Sequence, residues 1–333
     1  MKFFEILVTA ATIAGAAAAP PPTEKRASRF QFVGVSEAGA EFGGQNLPGQ
    51  LGKDYIWPDQ NAINTMIGKG MNTFRIPFLM ERLIPNQLTG AIDQAYANGL
   101  DQTVNFITGK GAYAIIDPHN YGRYYNNLIT DVNAFGAWWT TVARRYASNS
   151  RVIFDTNNEF HDEDNTLVAN LNQRAINAIR GAGATSQYIF VEGNSWSGAA
   201  SWVSSGTADG MGKLTDPSNK IIYEMHQYLD SDGSGSSATC VSTTIGKERL
   251  QAATAWLKAN HKKAIIGETA GGANPQCIAA LQGMLGHMAD NSDVWAGWLW
   301  WGAGPWWGNY IYGMEPPSGV AYTGVLPSLT QYI

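Results

Sequence analysis

Along most of the chain, short apolar runs rich in Val, Ile, Phe and Tyr alternate with longer stretches whose apolar positions recur every three or four residues. The runs predict strands at Phe32–Val35, Thr73–Pro77, Ala112–Asp117, Val152–Thr156, Tyr188–Glu192, Ile221–His226, Ala264–Glu268 and Val294–Trp300. Helical patterns lie between most of them. After Asn165, Leu167, Leu171, Ala175 and Ile179 share one helical face, and Leu250, Ala253 and Leu257 do so before the seventh strand. Three turns leading into strands have a common form: Gly68-Lys69-Gly70, Gly109-Lys110-Gly111 and Gly181-Ala182-Gly183. Glycine just past a helix end takes the left-handed conformation without a Cβ clash, so these read as helix-to-strand turns. Eight strands alternating with helices predict a single-domain α/β (β/α)8 TIM barrel. An open doubly wound sheet would place a glycine-rich turn after an early strand, whereas these turns precede strands and lack a third glycine. The Ser/Gly stretch from Ser231 to Ser237 falls inside the rhythm and reads as a surface loop, not a linker.

The amino terminus breaks the rhythm. Residues 1–19 have the form of a secretory signal, with Lys2, an apolar run from Ile6 to Ala14, and small residues to Ala19. The run is too short to span a bilayer. Residues 20–26 read as a short propeptide closing on the dibasic pair Lys25-Arg26, which leaves 27–333 as the catalytic domain of a secreted, extracellular protein. Export permits a disulfide, and Cys240 and Cys277 are the only two cysteines.

Composition narrows the function. Charged residues make up 15% of the 333, net charge is −5, and no basic run occurs, which argues against nucleic acid as a partner. Twelve Trp, 14 Tyr and 12 Phe supply ring faces instead. In a TIM barrel the working residues stand at the carboxyl ends of the strands. Here the runs end in Arg75, Asp117-Pro118-His119-Asn120, Asn157-Asn158-Glu159, Glu192-Gly193-Asn194-Ser195-Trp196, His226-Gln227-Tyr228, Glu268 and Trp300-Trp301. Two glutamates, on strands four and seven, suit glycoside hydrolysis. One carboxylic acid protonates the leaving oxygen while a second carboxylate faces the anomeric carbon. Glu159 follows two neutral Asn residues, so burial is expected to favour its protonated form; Arg75 and Tyr228 are expected to keep Glu268 ionised.

At these positions the chain resembles glycoside hydrolase family 5, and within it the fungal endo-β-1,4-glucanases. The likeness rests on Asp155-Thr156-Asn157-Asn158-Glu159, on the run from Tyr223 to Asp232, and on Gly267-Glu268. Glu37 to Gly43, Arg75-Ile76-Pro77-Phe78 and Ala303 to Gly308 extend it over the mature chain. The resemblance implies Glu159 as acid/base and Glu268 as nucleophile of a retaining cellulase. Arg75, His119, Asn158, His226, Tyr228 and Trp301 would support them, without any cofactor. Thr269 stands where these enzymes usually carry Tyr, and Ser36 where Asn is common; both bear on substrate preference.

Other readings compete. Asp117, Asp155, Glu192 and Glu224 are rival carboxylates, with Asp155 and Glu224 expected to hydrogen-bond inside the barrel. A metal site is not expected: the first strand lacks His-x-His and the chain has only five histidines. His161 and His261 show no partner pattern and read as surface residues. Trp138, Trp139 and Trp256 fall in helices and belong to the core, Trp196 and Trp301 are placed for sugar stacking, and Trp306 and Trp307 fit either core or cleft. The partner is thus a β-glucan polysaccharide, with no nucleic acid, no membrane, and a monomeric protein. Hydrolysis of another β-glycan, such as β-mannan or mixed-linkage or β-1,3-glucan, is the first alternative. A carbohydrate-binding protein without turnover is the second.

Overall fold

The computed structural model describes residues 30–333; the expected leader and propeptide lie outside the described residues. Among the described residues the main sheet is a closed barrel of eight parallel strands: β1 Phe32–Glu37, β2 Thr73–Phe78, β3 Tyr113–Pro118, β4 Val152–Asp155, β5 Ile189–Glu192, β6 Ile221–His226, β7 Ala264–Thr269 and β8 Trp295–Ala303. Each predicted strand is present, Ile221–His226 with the same ends and the others with an end moved by at most three residues. β8 gains most, because beyond an irregularity in the ladder Ala303 still pairs with Glu37 of β1. No element of the pattern announced the small hairpin Arg123–Tyr124 with Asn127–Leu128 in the loop after β3. Its turn residues Tyr125 and Asn126 take φ of 48° and 61°, a conformation usually signalled by glycine.

Local chemistry sets the helices between the strands. Asp59, Asp93, Asp131 and Asp164 accept hydrogen bonds from the first free amides of four of them, in the manner of N-caps. The second glycine of each Gly-x-Gly turn has positive φ: Gly70 102°, Gly111 84° and Gly183 94°. The larger apolar cluster fills the space between barrel and helices and includes Trp138, Trp139, Trp295, Trp298 and Trp300. Trp256 packs half-buried against it, edge-on to Trp202 and Tyr223.

Inside the barrel, alternation along the strands turns every second residue inward. The lower interior is a plug of Phe32, Ile115, Ile153, Phe190, Ile222, Ile265 and Leu299, with Tyr113 and Tyr188 at its edge. These apolar side chains are buried and carry no group able to do chemistry, which leaves the polar residues of the upper mouth. Gly267 makes room there: a Cβ at this position would fall 1.8 Å from Oε1 of Glu224. A disulfide joins Cys240, in the loop after β6, to Cys277, in the first turn of the helix Pro275–Asp290.

Candidate active site

The site is built around Arg75. The sequence pattern treats this residue as a strand end, but β2 continues to Phe78 and the guanidinium lies wholly buried on the barrel axis side. Pairing of β2 with β3 carries the strand onward past Arg75, which is why its side chain sits below the mouth and not in a loop. Carboxylates from neighbouring and opposite strands converge on it: Asp117 at 3.1 Å, Asp155 at 2.9 Å, Glu192 at 3.0 Å, Glu224 at 3.2 Å and Glu268 at 2.7 Å. Asp155 and Glu224 thus lie inside the barrel as expected, and Asp117 and Glu192 join them. One guanidinium cannot compensate so much buried negative charge. Burial, reinforced by Glu224 and Glu192, holds the Asp155 carboxyl well above the usual range.

Above this layer Glu268 is gripped at both oxygens. Nη1 of Arg75 donates to Oε1, and the Tyr228 hydroxyl donates to Oε2 at 2.7 Å. These are the two groups the sequence reading placed beside it. Asn158 accepts from Nη2 of Arg75 at 2.8 Å through its side-chain oxygen, while its amide nitrogen has no protein partner.

The chain neighbours of Glu159 are neutral, but the fold brings Nδ1 of His226 to 2.7 Å from its Oε1. Burial alone would lower the His226 pKa; the charges of Glu268 and Glu192 and the bonds to Glu159 and Glu224 outweigh it and raise the imidazole well above its usual value. The same Nδ1 lies 3.6 Å from Oε2 of Glu268, so one imidazole bridges the two glutamates. One oxygen of Glu159 and one of Glu268 lie within 4.8 Å of each other. Glu159, His226 and Glu268, and likewise Glu192, Glu224 and His226, offer donor atoms spaced closely enough to hold a cation. In both sets a carboxylate is already paired with Arg75, so a cation would have to compete with that ion pair.

The rings frame the opening. On β8, Trp300 points outward, is fully buried, and donates its indole N–H to the Tyr312 carbonyl at 2.8 Å. Trp301 points inward, half-buried, and stacks on His119, whose Nδ1 pairs with Asp117 at 2.8 Å. Trp307 packs edge-on against Trp301 and Phe42, and Trp306 is 37% exposed. Trp196 is 50% exposed after β5. His161, taken from the sequence as an unpartnered surface residue, lies under it: the rings are 4.7 Å apart and 6° from parallel. Nη1 of Arg123 contacts His161 Nε2 at 3.2 Å and so fixes this pair from behind. Nothing in the sequence links residues 123, 161 and 196.

A cleft of about 770 Å3 runs from Glu159, His226 and Tyr228 past Trp196 to Ser234 and Arg249. On the other side of Tyr121 a second cavity of about 260 Å3 is lined by Glu41, His119 and Asn120. Backbone with positive φ concentrates here, at Tyr121, Glu159, Ser195, Trp196 and Ser197, each between 48° and 56°. Such conformations persist only where surrounding structure imposes them. Tyr121 carries no motif, and its role as the divider between the cavities was not legible in the sequence. Ser36 and Thr269, the two departures from the family pattern, are fully buried.

Comparison with known proteins agrees with this geometry. The family model "Cellulase (glycosyl hydrolase family 5)" matches residues 35–304. The chain is 58% identical to "Probable endo-beta-1,4-glucanase B" of Neosartorya fischeri, and 56% identical to "Endo-beta-1,4-glucanase B" of Aspergillus niger. Each likeness covers 100% of both chains. Among solved structures, XacCel5A in complex with cellopentaose superimposes with TM-score 0.88 at 38% identity, covering 92% of this chain and 100% of that one. Cel5A (EG2) from Hypocrea jecorina gives TM-score 0.80 at 31% identity, over 89% and 98%. On fold, sequence and extent alike, the chain belongs to the cellulase family, glycosyl hydrolase family 5.

Proposed function

We propose that the site cleaves internal β-1,4-glucosidic bonds by double displacement, with Glu159 as acid/base and Glu268 as nucleophile. Endo-β-1,4-glucanase activity is the function carried by the relatives that match this chain over its full length. The observation that carries the mechanism is the spacing of the two carboxylates. Retaining pairs stand about 5–5.5 Å apart, whereas inverting pairs need roughly 6.5–9.5 Å to admit a water. One oxygen of each within 4.8 Å of the other favours the first arrangement.

In this reading Glu268, held in place by Arg75 and Tyr228, attacks the anomeric carbon as a carboxylate. Glu159 gives its proton to the leaving oxygen, and His226 shares the hydrogen bond through which that proton is exchanged. Water, deprotonated by Glu159, then releases the sugar from Glu268. The unpartnered amide nitrogen of Asn158 is the donor available to a sugar hydroxyl, and Trp301 and Trp196 offer faces on opposite sides of the catalytic pair. The cleft at Glu159 and the cavity beyond Tyr121 together favour binding along a polymer. The cellopentaose held by XacCel5A supports a β-glucan ligand for this chain as well.

Among the described residues no helix is long and apolar enough to cross a membrane. The leader-like residues 1–19 support a secreted enzyme. The test is reducing-sugar release from a panel of soluble β-glucans and mannans, with the product anomer read by NMR. Release from soluble cellulose derivative with a retained anomer is expected. Activity confined to mannan, or an inverted product, overturns the reading.

A further inference from the structure

Glu192 ends β5 with its carboxylate wholly buried beneath the mouth. Its Oε2 accepts the backbone N–H of Glu159 at 2.7 Å, and its Oε1 accepts from Nη2 of Arg75 at 3.0 Å. Nε2 of His226 lies 3.7 Å from the same Oε2. One side chain therefore touches the main chain of the proposed acid, the guanidinium that grips the proposed nucleophile, and the surroundings of the imidazole between them. The contact to Glu159 is unusual in kind. β4 stops at Asp155, so the amide of Glu159 lies outside the strand ladder, and Glu159 takes φ 48°, in the left-handed region. An L-residue stays there only if its surroundings hold it. Glu192 is itself anchored: the side-chain amide of Asn172 donates to its carbonyl at 2.9 Å, and the same Asn172 accepts from Thr156 of the β4–Glu159 segment at 2.6 Å.

Resting on the assignment of Glu159 as acid/base, we propose that Glu192 is a positioning residue for that acid. It captures the Glu159 amide, fixes the left-handed backbone, and thereby aims the Glu159 carboxyl at His226 and at the leaving oxygen. The bond satisfies a backbone N–H that lies outside the strand ladder, which suits a group that must hold a strained residue. Removing it should not change the groups that react. It should let the acid swing away from the glycosidic oxygen.

The test separates this from a general structural role by varying the leaving group. kcat/KM is measured for cellobiosides of 2,4-dinitrophenol, which leaves without a proton, and of unsubstituted phenol, which needs one. General-acid assistance contributes ~10²–10⁴-fold. Glu192→Met and Glu192→Ala, which leave no acceptor for the Glu159 amide, should therefore lose ~10-fold or more on the phenyl glycoside beyond their loss on the dinitrophenyl one. Glu192→Asp, whose shorter carboxylate can still accept the amide, should recover part of the selectivity. Equal losses on both substrates by a variant whose Tm stays near that of the parent overturn the proposal. Should Glu192→Ala fail to fold, Glu192→Met, of similar length but without an oxygen acceptor, decides the question alone. Glu159→Gln, run in parallel, tests the underlying assignment: if it shows no selective loss, the acid itself has been misassigned, whatever Glu192 does.

Discussion

The indole of Trp301 lies flat against the imidazole of His119, ring centroids 5.1 Å apart and planes 10° from parallel. The next residue back, Trp300, is turned to the opposite side of the strand and buried in the outer core. Two adjacent tryptophans thus serve different ends. Trp301→Ala should lower kcat/KM by ~10²-fold, because a substrate without its wall loses near-attack geometry, while Tm changes little. Trp300→Ala should cost roughly 3–5 kcal/mol of stability and leave the folded fraction active. Kinetics and thermal unfolding of both variants check the pair, and the reverse pattern would refute the placement.

Glu268→Gln should bind cello-oligosaccharide yet lose nearly all turnover, since the nucleophile is removed while Arg75 and Tyr228 remain. Glu159→Gln should be crippled on polymer and recover partly on substrates whose leaving group needs no proton. Normal polymer hydrolysis by Glu159→Gln would exclude it as the acid. Binding measured calorimetrically, alongside turnover, separates the two defects.

Trp196 rests on His161, and Arg123 holds that histidine in turn. The exposed indole borders the cleft on the Glu159 side of the catalytic pair. Trp196→Ala should raise KM for long oligosaccharides by ~5-fold, in keeping with about 1 kcal/mol for an aromatic contact, and leave kcat nearly constant. A fall in kcat with unchanged KM would place the indole in the chemistry and not in binding.

Glu37 is buried, and neither of its carboxylate oxygens has a hydrogen-bond partner. Burial first, and then the charges of Glu315 and Asp59, hold its pKa well above 4.5. Below about pH 4.5 the folded and unfolded chains are both protonated at this group; as pH rises the unfolded chain ionises first, so stability falls. His119 and His226, whose folded pKa values are raised despite burial, add a loss of the same sign above about pH 6.5. Asp216 works in the opposite sense: burial is outweighed by its bonds to Arg180, Lys220 and Ser218, its pKa is lowered, and its contribution vanishes as pH drops below about 3.8. Tm should therefore peak at roughly pH 4–5 and decline toward neutrality. Glu37→Gln should flatten the decline, and a Tm difference from the parent that does not grow with pH would contradict this account.

The Cys240–Cys277 bridge closes a loop over a sequence separation of 37. On the chain-entropy model its loss should cost ~3–4 kcal/mol. The double Cys→Ala variant, followed by denaturant unfolding, should show that loss with kcat unchanged at temperatures where it stays folded.

Much of this molecule was fixed by local sequence. The eight strands fall where short apolar runs meet turn residues, because a strand buried on both faces needs apolar side chains on both. The Gly-x-Gly turns carry their positive φ because the second position suits only a residue without a Cβ. Glu159 and Glu268 were legible because polar groups that stop a barrel strand must project into the mouth. What tertiary structure alone decided is which groups meet. Arg75 reads as one strand end among others, yet closure of the barrel makes it the shared partner of carboxylates from 42 to 193 positions away. His226 against Glu159, Glu192 beneath the Glu159 amide, and His161 under Trp196 have no signature along the chain. Periodicity records only whether a side chain points in or out; the partner it finds there depends on the stagger and closure of strands far apart in sequence.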